Sequence, residues 1–292
     1  EQQVLCQLSV FRGGFSRQAA EQVAGASLPV LSTLVNRTLL RRAAAGRYEL
    51  HELVRQYSAA HLAADAGAQA AAQKRHYDYF LALAEAGEQE LKGRNQLEWL
   101  ARLEQEHDNL RAALGWALDS DRASAGEDEF ALRLSGALRR FWLMRGHFHE
   151  GRSWLTESLR QCSSHTAARA TALATQGRLL YAVGKVGAAR LLMEEGAAIY
   201  RELGDELGLV LALRFIGAQL VWQAEASLGR AQMEEALAIC RKAGDRWATA
   251  HALHGLGDFL ANYAGDPAGR AMLEESAAIL EDLGLKSVLS GV

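Results

Sequence analysis

The length of the chain, 292 residues, is enough for two or three structural units with sizeable hydrophobic cores. Apolar residues make up 49% of the sequence, aromatic residues only 7%, and prolines number 2, which is typical of a nearly all-helical protein rich in alanine. The formal net charge is −3. No apolar run approaches the length of about 18 residues that a membrane-spanning helix needs, so we expect no membrane contact.

The three cysteines, Cys6, Cys162 and Cys240, form no Cys-x-x-Cys pair and share no repeat register. Thiols without such pairing are typical of the reducing cytosol, so we expect reduced core cysteines and a cytoplasmic protein. Both ends look cut, because Glu1 begins inside a predicted helix and residues 284–292 begin a segment that does not finish. We therefore expect a piece of a longer polypeptide.

Residues 1–64 have the pattern of a winged-helix domain, in which three helices precede a short β-hairpin. Ser16 is placed to cap the second helix, and Pro29 suits the first turn of the third. A further helix follows the hairpin directly. The predicted elements are helices over 4–11, over 16–24 and from 29 onward, strands over 39–42 and 47–50, and a helix over 51–64.

Residues 65–126 are predicted to form a helical hairpin that links this domain to the rest, with helices over 74–92 and 96–118. Asp108 and Asn109 are poor helix formers in the middle of the second helix, so we expect them to hydrogen-bond to a neighbouring element in a structural role. A loop is expected over 119–129. The second helix is expected to bury a stripe formed by Leu97, Leu100, Leu103, Leu110, Leu114 and Trp116.

A segment that occurs three times organises the C-terminal part of the chain, residues 127–292. Its copies read ARLLMEEGAAIYRELGD, GRAQMEEALAICRKAGD and GRAMLEESAAILEDLG, and Met193, Met233 and Leu273 are equivalent in them. The copies repeat over 168–284 with a period of about 40 residues, which indicates stacked helical hairpins, since one hairpin buries its apolar face only when a neighbour covers it. The segment GRSWLTESL, from residue 151, indicates a fourth, degenerate copy.

The spacing within each copy indicates how its two helices cross. A glycine in the first helix is followed twelve residues later by a small residue, and four positions further by a large apolar one. The pairs of a glycine and the following small residue are Gly177 with Ala189, Gly217 with Gly229, and Gly257 with Gly269. Small residues are needed where two helices approach closely. The pattern resembles the tetratricopeptide repeat, with longer helices than its usual period of about 34 residues allows.

Several motifs resemble those of one class of signalling proteins. LSVFRGGF, LVNRTLLRR and YELHELVRQYS are similar to the winged-helix domain that follows the nucleotide-binding (NB-ARC) domain in bacterial STAND regulators, the signal transduction ATPases with numerous domains. HYDYFLALAE, QLEWLARLEQEHDNLRAAL and FWLMRGHFHEGRSWL resemble the linker and first repeats of the same proteins. The resemblance implies a regulatory and sensor module, part of a transcriptional regulator, whose repeats bind an inducer, a peptide or a partner protein.

These observations predict a nearly all-α fold class. The expected architecture is an N-terminal winged helix with a small β-hairpin, followed by an α-α superhelix of tetratricopeptide-like repeats.

The step Leu50-His51-Glu52 resembles the MHD motif of nucleotide-switched ATPases. In those proteins a histidine at the start of a winged-domain helix contacts the β-phosphate of ADP, and an imidazole near a helix N-terminus is suited to that contact. The resemblance implies that His51 senses a nucleotide, ADP or ATP, held by an upstream nucleotide-binding domain of the longer protein. A surface histidine between strand and helix is the alternative, and Glu52 departs from the more usual Asp.

No motif for catalysis or metal binding is complete within the chain. The run from Gly177 to Lys185 has the wrong spacing for a phosphate-binding loop and lacks Ser or Thr after the lysine. His147-x-His149 and His251-x-x-His254 have no third ligand nearby in sequence, so no metal site is expected. We expect no enzyme activity and no cofactor in this chain, with any ATPase activity in an upstream domain.

The N-terminal region is the candidate for contact with nucleic acid, because winged helices often bind DNA. Residues 1–62 contain seven arginines and four glutamates, a net charge of +3. A nucleic-acid-binding module with a repeat scaffold is therefore the alternative function. In the class resembled, however, this domain is a switch on the ATPase core and another domain reads DNA. The residues expected to contact phosphates in the alternative are Arg37, Arg41, Arg42 and Arg47.

The concave face of the repeats is the remaining candidate site. In tetratricopeptide arrays the first helix of each unit lines this face, and the register of the conserved glycines selects seven residues there. Arginine and aromatic side chains in a groove are favoured anchors for a peptide or an acidic ligand. The competing interpretation is that some of them pack between helices. The seven are Arg178, Tyr181, Arg214, Trp222, His254, Asp258 and Asn262.

Overall fold

The structure is a computed structural model that describes residues 1–43, 46–119, 129–222 and 225–285, without the side chains of residues 221 and 222. Within these ranges the chain forms sixteen α-helices, one π-helical turn and one two-stranded antiparallel sheet. The nearly all-α fold class with one small hairpin is therefore confirmed. In the part of the chain that is described, no helix is both long and apolar enough to cross a membrane.

The N-terminal region has the predicted order of three helices, a hairpin and a further helix. Its elements are α1 (Gln2–Leu8), α2 (Arg17–Ala24), α3 (Leu28–Asn36), β1 (Leu40–Arg42), β2 (Tyr48–Leu50) and α4 (Glu52–Ala63). The hydroxyl of Ser16 accepts a hydrogen bond from the backbone N–H of Ala19, and Pro29 lies in the first turn of α3, as the sequence predicts. The strands pair with Leu40 opposite Leu50.

The linker differs from its prediction in three places. Helix α5 (Ala66–Glu90) begins earlier than predicted, because the carboxylate of Asp65 caps it by accepting from the N–H of Ala68. The single helix predicted over 96–118 is two, α6 (Gln96–Gln105) and α7 (His107–Ala117), with a break at Glu106. The burial predicted for Leu97 is also wrong, since its side chain is 74% exposed in the first turn of α6. The loop predicted over 119–129 falls almost wholly on residues outside the described ranges.

The break at Glu106 belongs to a polar joint between the linker and the N-terminal region. Asn109 Oδ1 accepts a hydrogen bond from the Arg12 N–H at 2.7 Å, and Asn109 Nδ2 donates to the Gly14 carbonyl at 2.8 Å. The Glu106 carboxylate accepts from Asn109 and forms an ion pair with Arg47. The structural role predicted for Asn109 is therefore confirmed.

One hydrophobic core runs from α1 through the linker into the first repeat helices, a second core holds most of the remaining repeats, and a small third cluster contains Ala250, Leu280 and Leu285. The domain limits predicted at residues 64 and 126 stay predictions.

The helices that follow the linker are α8 (Glu129–Ala137), α9 (Arg139–Arg145), α10 (Phe148–Gln161), α11 (Ala167–Ala182), α12 (Val186–Leu203), α13 (Glu206–Trp222), α14 (Ala226–Ala243), α15 (Arg246–Asp258), the π-helical turn Phe259–Tyr263 and α16 (Ala268–Asp282).

The three regular copies form the helical hairpins α11–α12, α13–α14 and α15–α16, and each crosses at its conserved glycine. A Cβ atom added to Gly177 would lie 2.9 Å from the carbonyl oxygen of Ala189, and one added to Gly217 would lie 2.9 Å from that of Gly229. A Cβ on Gly257 would meet the carbonyl oxygen of Gly269 at the same distance. Because real Cβ atoms do not approach backbone oxygens so closely, these positions require glycine.

Substitution of Gly257 by alanine tests this crossing, with Gly255 in the same helix as a control. The Gly257→Ala variant should lose about 1–3 kcal/mol of unfolding free energy, because the methyl group displaces the Gly269 backbone. A Cβ on Gly255 meets no atom within 4 Å, so Gly255→Ala should gain about 0.5–1 kcal/mol from higher helix propensity. Urea denaturation of both variants measures the difference, and equal effects would contradict the close crossing.

The buried His76 in α5 predicts an acid-sensitive core. Its ring packs between Phe11 and Phe80, and burial above all lowers the pKa of His76 to about 3, with Arg12 adding to the effect. In the unfolded chain the imidazole of His76 binds a proton near pH 6.5, whereas in the folded chain it does not. The unfolding free energy that is present above pH 6.5 is therefore lost progressively as the pH falls towards 3. For His76 alone, the loss between pH 6.5 and 5 is about 2 kcal/mol.

Denaturation curves at pH 6.5 and 5 measure this loss in the wild type and in the His76→Phe variant. The variant should lose less stability on acidification by about that amount. A His149→Phe variant, altered at an exposed histidine, should keep the wild-type dependence. An unchanged pH dependence in His76→Phe would show that His76 titrates as an exposed group.

Candidate functional site

The first helices of the successive hairpins line one cavity. This cavity has a volume of about 260 Å³ and is closed at one end by the linker, through Leu91 and Gln96. The regular period brings α11, α13 and α15 side by side, and α9 completes the wall. We call it the arginine cavity, after Arg139, Arg140, Arg178 and Arg214; Phe215, Trp247 and His251 also line it.

Two of the four arginines share one carboxylate. Arg139 Nη2 and Arg140 Nε both donate to Glu88 Oε1, at 2.5 and 2.8 Å. Glu88 comes from α5 in the linker, and all three side chains are largely buried. Glu88, with a smaller contribution from Asp245, therefore offsets part of the positive charge at this end of the cavity.

The other two arginines lie against an aromatic ring. Arg178 Cζ is 4.0 Å from the centroid of the Phe215 ring, and Arg214 Cζ is 5.9 Å from it. Among the residues that the structure describes, neither guanidinium forms an ion pair with a carboxylate, and the charged groups acting on Arg214 are other arginines. Cation–π contacts orient these cations but do not neutralise them.

Burial destabilises the charged form of Arg140, Arg178 and Arg214 and so lowers their pKa values. Burial first, and then the charges of the neighbouring Arg178 and Arg140, lower the pKa of Arg214 to about 10. Burial likewise lowers the pKa of Arg140 to about 10, with Arg139 as the next cause. Both remain protonated at neutral pH. The cavity is therefore positive, and an anion that enters it would replace water with guanidinium hydrogen bonds.

His251 is the titratable group that does not add to this charge. Burial first, and then the charges of Arg214 and Arg140, lower the pKa of His251 to about 3, so its ring is neutral at physiological pH. The ring packs on Trp247 with centroids 4.0 Å apart, and the guanidinium of Arg140 lies 3.8 Å from the same indole. These aromatic surfaces give the positive cavity an apolar wall.

Only some of the seven residues predicted to line the groove of the repeats lie in the arginine cavity. Arg178 and Arg214 lie in it, whereas Tyr181 and His254 are partly buried outside its lining. Asp258 and Asn262 are exposed and hydrogen-bond to each other at 2.7 Å. The side chain of Trp222 lies outside the described residues.

Sequence reasoning missed Arg139, Arg140 and Trp247. The signal for the first two was the Arg-Arg pair before Phe141-Trp142, which lies upstream of the degenerate copy predicted from residue 151. Trp247 and His251 lie four residues apart on the first helix of the third copy, so both project to one face. Their alignment with α9 is visible only in the folded chain.

His51 lies at the N-terminus of α4, as its resemblance to a nucleotide-contacting histidine requires. Its Nδ1 accepts from the N–H of Leu53 at 3.3 Å, which in the neutral ring assigns the proton to Nε2 and leaves that N–H to point away from the helix. The side chain of His51 is exposed. Leu53 and Tyr57, on the same helix, are also exposed although they are apolar.

The four arginines predicted to contact nucleic acid have different environments. Arg37 and Arg41 are exposed but form ion pairs with Glu1 and Glu49, and Arg42 is exposed. The prediction for Arg47 is wrong. Only 8% of Arg47 is accessible, because its guanidinium is paired with Glu106 in the polar joint.

Comparison with solved structures finds helical-repeat proteins. A crystal structure of a Signal Transduction ATPase with Numerous Domains (STAND) protein with a tetratricopeptide repeat sensor, from Pyrococcus horikoshii, matches 97% of this chain and 50% of its own, with 15% identity and a TM-score of 0.44. A Podospora anserina structure, described as putative kinesin light chain nearly identical TPR-like repeats, matches 68% of this chain and 97% of its own, with 16% identity and a TM-score of 0.44.

Comparison with curated proteins finds relatives by sequence, although no protein-family model matches the chain. Two proteins, from Mycobacterium tuberculosis and Mycobacterium bovis, are each 35% identical over 246 residues, and each bears the name putative HTH-type transcriptional regulator. The match covers 78% of this chain but 27% of each relative, so the chain spans about a quarter of their length. The chain is thus similar, over most of its own length, to one region of proteins named as HTH-type transcriptional regulators.

Proposed function

We propose that this chain is the sensor and regulatory region of a STAND-type signalling ATPase that controls transcription. In this proposal the repeats bind an anionic inducer, or an acidic group of a peptide or partner protein, in the arginine cavity. The observation that carries the proposal is the convergence of four arginines on one concave cavity, with the Glu88 carboxylate shared between two of them. The name of the mycobacterial relatives supports the regulatory part.

The chemistry of the cavity favours an anion that carries an apolar body. Arg178 and Arg214 have guanidinium groups suited to bidentate contacts with a carboxylate or phosphate. Phe215 and Trp247 offer aromatic faces beside them. A volume of about 260 Å³ accommodates a small ligand or the side chains at the tip of a peptide. An anion there would lower the repulsion among the arginines, so its binding stabilises the stacked arrangement of α9, α11 and α13.

The same chemistry favours binding over catalysis. Near pH 7 the guanidinium groups of Arg140 and Arg214 are protonated and the imidazole of His251 is neutral, so none of these three groups has a pKa suited to acid–base chemistry there. In this proposal the chain is not an enzyme. ATP hydrolysis belongs to an upstream nucleotide-binding domain of the longer cytoplasmic protein, with ADP or ATP as its ligand.

The N-terminal region, as a winged helix, would couple the repeats to that nucleotide. His51 supports this role because it is exposed at a helix N-terminus with its Nε2–H directed outward, where it can donate to a phosphate oxygen. The exposed Leu53 and Tyr57 offer an adjacent apolar surface to the upstream domain. The polar joint at Glu106 and Asn109 ties this region to the linker that closes the arginine cavity.

Direct DNA binding through the hairpin is less well supported than the switch. Arg47 is buried, and Arg37 and Arg41 would have to exchange glutamate partners for phosphates. We therefore assign DNA contact in the longer protein to another domain.

Substitution of Arg214 tests the sensor proposal, with phosphate and citrate as probe anions. In the wild type at low ionic strength, either probe should raise the midpoint of thermal unfolding, because it binds the folded state. The Arg214→Gln variant should bind the probes about tenfold more weakly, a loss of about 1.4 kcal/mol, because the cavity loses one of its guanidinium groups. Isothermal titration calorimetry measures the affinities.

The matched control is Arg270→Gln, which alters an exposed arginine on α16 that pairs with Glu274. Its affinity for both probes should equal that of the wild type. Equal affinities in Arg214→Gln and Arg270→Gln, or no binding of either anion by the wild type, would contradict an anion site in the cavity.

Substitution of His51 tests nucleotide coupling in the longer protein. His51→Ala should weaken ADP binding about tenfold, because one hydrogen bond to a charged phosphate is lost. The control is His61→Ala, at the opposite end of α4, where the ring contacts the Tyr57 carbonyl. Fluorescent ADP displacement measures both variants, and unchanged ADP affinity in His51→Ala would remove the nucleotide-sensing role while leaving the anion site untouched.

A further inference from the structure

Three potential metal ligands meet where the linker contacts α9 and α10, the helix pair that precedes the regular copies and that we call the first hairpin of the stack. Glu104 lies near the end of α6, His107 is the first residue of α7, and His147 immediately precedes α10. Each offers one ligand atom, and these atoms all lie within 4.8 Å of one another. The sequence predicts no metal site at His147, because no third ligand lies near it in the chain. Folding brings two potential ligands to it from the linker.

The distances between the ligand atoms suit one small cation. His147 Nε2 is 3.4 Å from Glu104 Oε1, and His107 Nδ1 is 3.9 Å from the same oxygen. In a tetrahedral zinc site with bonds of about 2.0–2.1 Å, neighbouring ligand atoms lie roughly 3.3–3.4 Å apart. The third pair, His107 and His147, is within 4.8 Å, so the two rings would approach each other by up to about 1.4 Å to close the three atoms around an ion.

The orientation of His107 is the one that metal-binding histidines require. Its Nε2 is 2.9 Å from Glu150 Oε1, so the ring nitrogen that faces away from the cluster is the one that donates a hydrogen. Arg111 holds the Glu150 carboxylate with two hydrogen bonds, of 2.9 and 2.6 Å. A carboxylate behind a histidine fixes the tautomer and directs the free lone pair, here on Nδ1, towards the metal. The edge of the His107 ring also packs on Phe141.

Two of the three side chains are accessible to solvent. Glu104 is exposed and His147 is partly buried, whereas His107 is buried. Arg145 contacts the second carboxylate oxygen, Oε2, at 3.3 Å, and leaves Oε1 towards the histidines. Three protein ligands and one open position are the usual arrangement of a zinc site that binds water or an exogenous ligand.

We propose that Glu104, His107 and His147 form a site for a divalent transition-metal ion, Zn²⁺ in particular, that clamps the linker to the first hairpin of the repeat stack. Glu104 and His107 flank the break at Glu106, and His147 follows the left-handed Gly146 that ends α9. An ion held by both sides would restrict relative movement of the linker and α9. This inference does not depend on the anion site or on His51.

The test measures Zn²⁺ binding to the full chain, free of affinity tags and of metal, by isothermal titration calorimetry. The wild type should bind one Zn²⁺ and gain thermal stability that EDTA removes. Co²⁺ in place of Zn²⁺ should show the visible absorption of a tetrahedral ion. The variants Glu104→Gln and His147→Ala should each bind Zn²⁺ at least tenfold more weakly; both alter side chains outside the hydrophobic core, so folding is expected to survive.

The matched control is His149→Ala, two residues from His147 and exposed, which should keep the affinity of the wild type. A Glu150→Gln variant should show an intermediate loss, because it weakens the hydrogen bond that orients His107. The proposal is overturned if the wild type binds no Zn²⁺ at a single site. It is also overturned if Glu104→Gln and His147→Ala, folded by circular dichroism, bind as the wild type and His149→Ala do.

Discussion

The close crossing of the two helices in each repeat is the constraint on which the stack depends. At Gly177, Gly217 and Gly257 the backbone of the second helix approaches so closely that no Cβ fits, and the same contact recurs in every regular copy. Because each hairpin has the same internal geometry, α11, α13 and α15 present equivalent faces to one side. The concave cavity is a consequence of that repetition, since its walls are these first helices together with α9.

Repetition explains where the cavity lies, but not its charge. Arg178 comes from the first regular copy and Arg214 from the second, and one period later their places are taken by Ala218 and His254. Burying several guanidinium groups around the shared Glu88 carboxylate costs folding free energy, as the lowered pKa values of Arg140 and Arg214 indicate. A chain that tolerates this cost has stability to gain from a bound anion.

The break in the linker at Glu106 connects the other parts of the molecule. Glu106 pairs with Arg47 behind the hairpin and accepts from Asn109, which in turn bonds to the backbone at Arg12 and Gly14. The residues on either side of the same break, Glu104 and His107, face His147 in the first hairpin of the stack. One interruption of a helix thus orients groups towards the N-terminal region in one direction and towards the repeats in the other. Movement of the linker would therefore change its contacts with both the N-terminal region and the repeats.

The sequence by itself determined the local features of this protein. The helical period, the cap at Ser16, the β-hairpin and the glycine crossings all depend on residues close in the chain, where helix, turn and steric rules apply directly. It also identified Arg178 and Arg214, because the repeat register assigns them to first helices. Only the tertiary structure decided which distant residues meet. Arg47 is buried by Glu106, Arg139 and Arg140 join Arg214, and His147 meets Glu104, although the partners in each case lie several helices or strands apart in the sequence. No local propensity encodes such encounters, because they are set by the packing of whole helices.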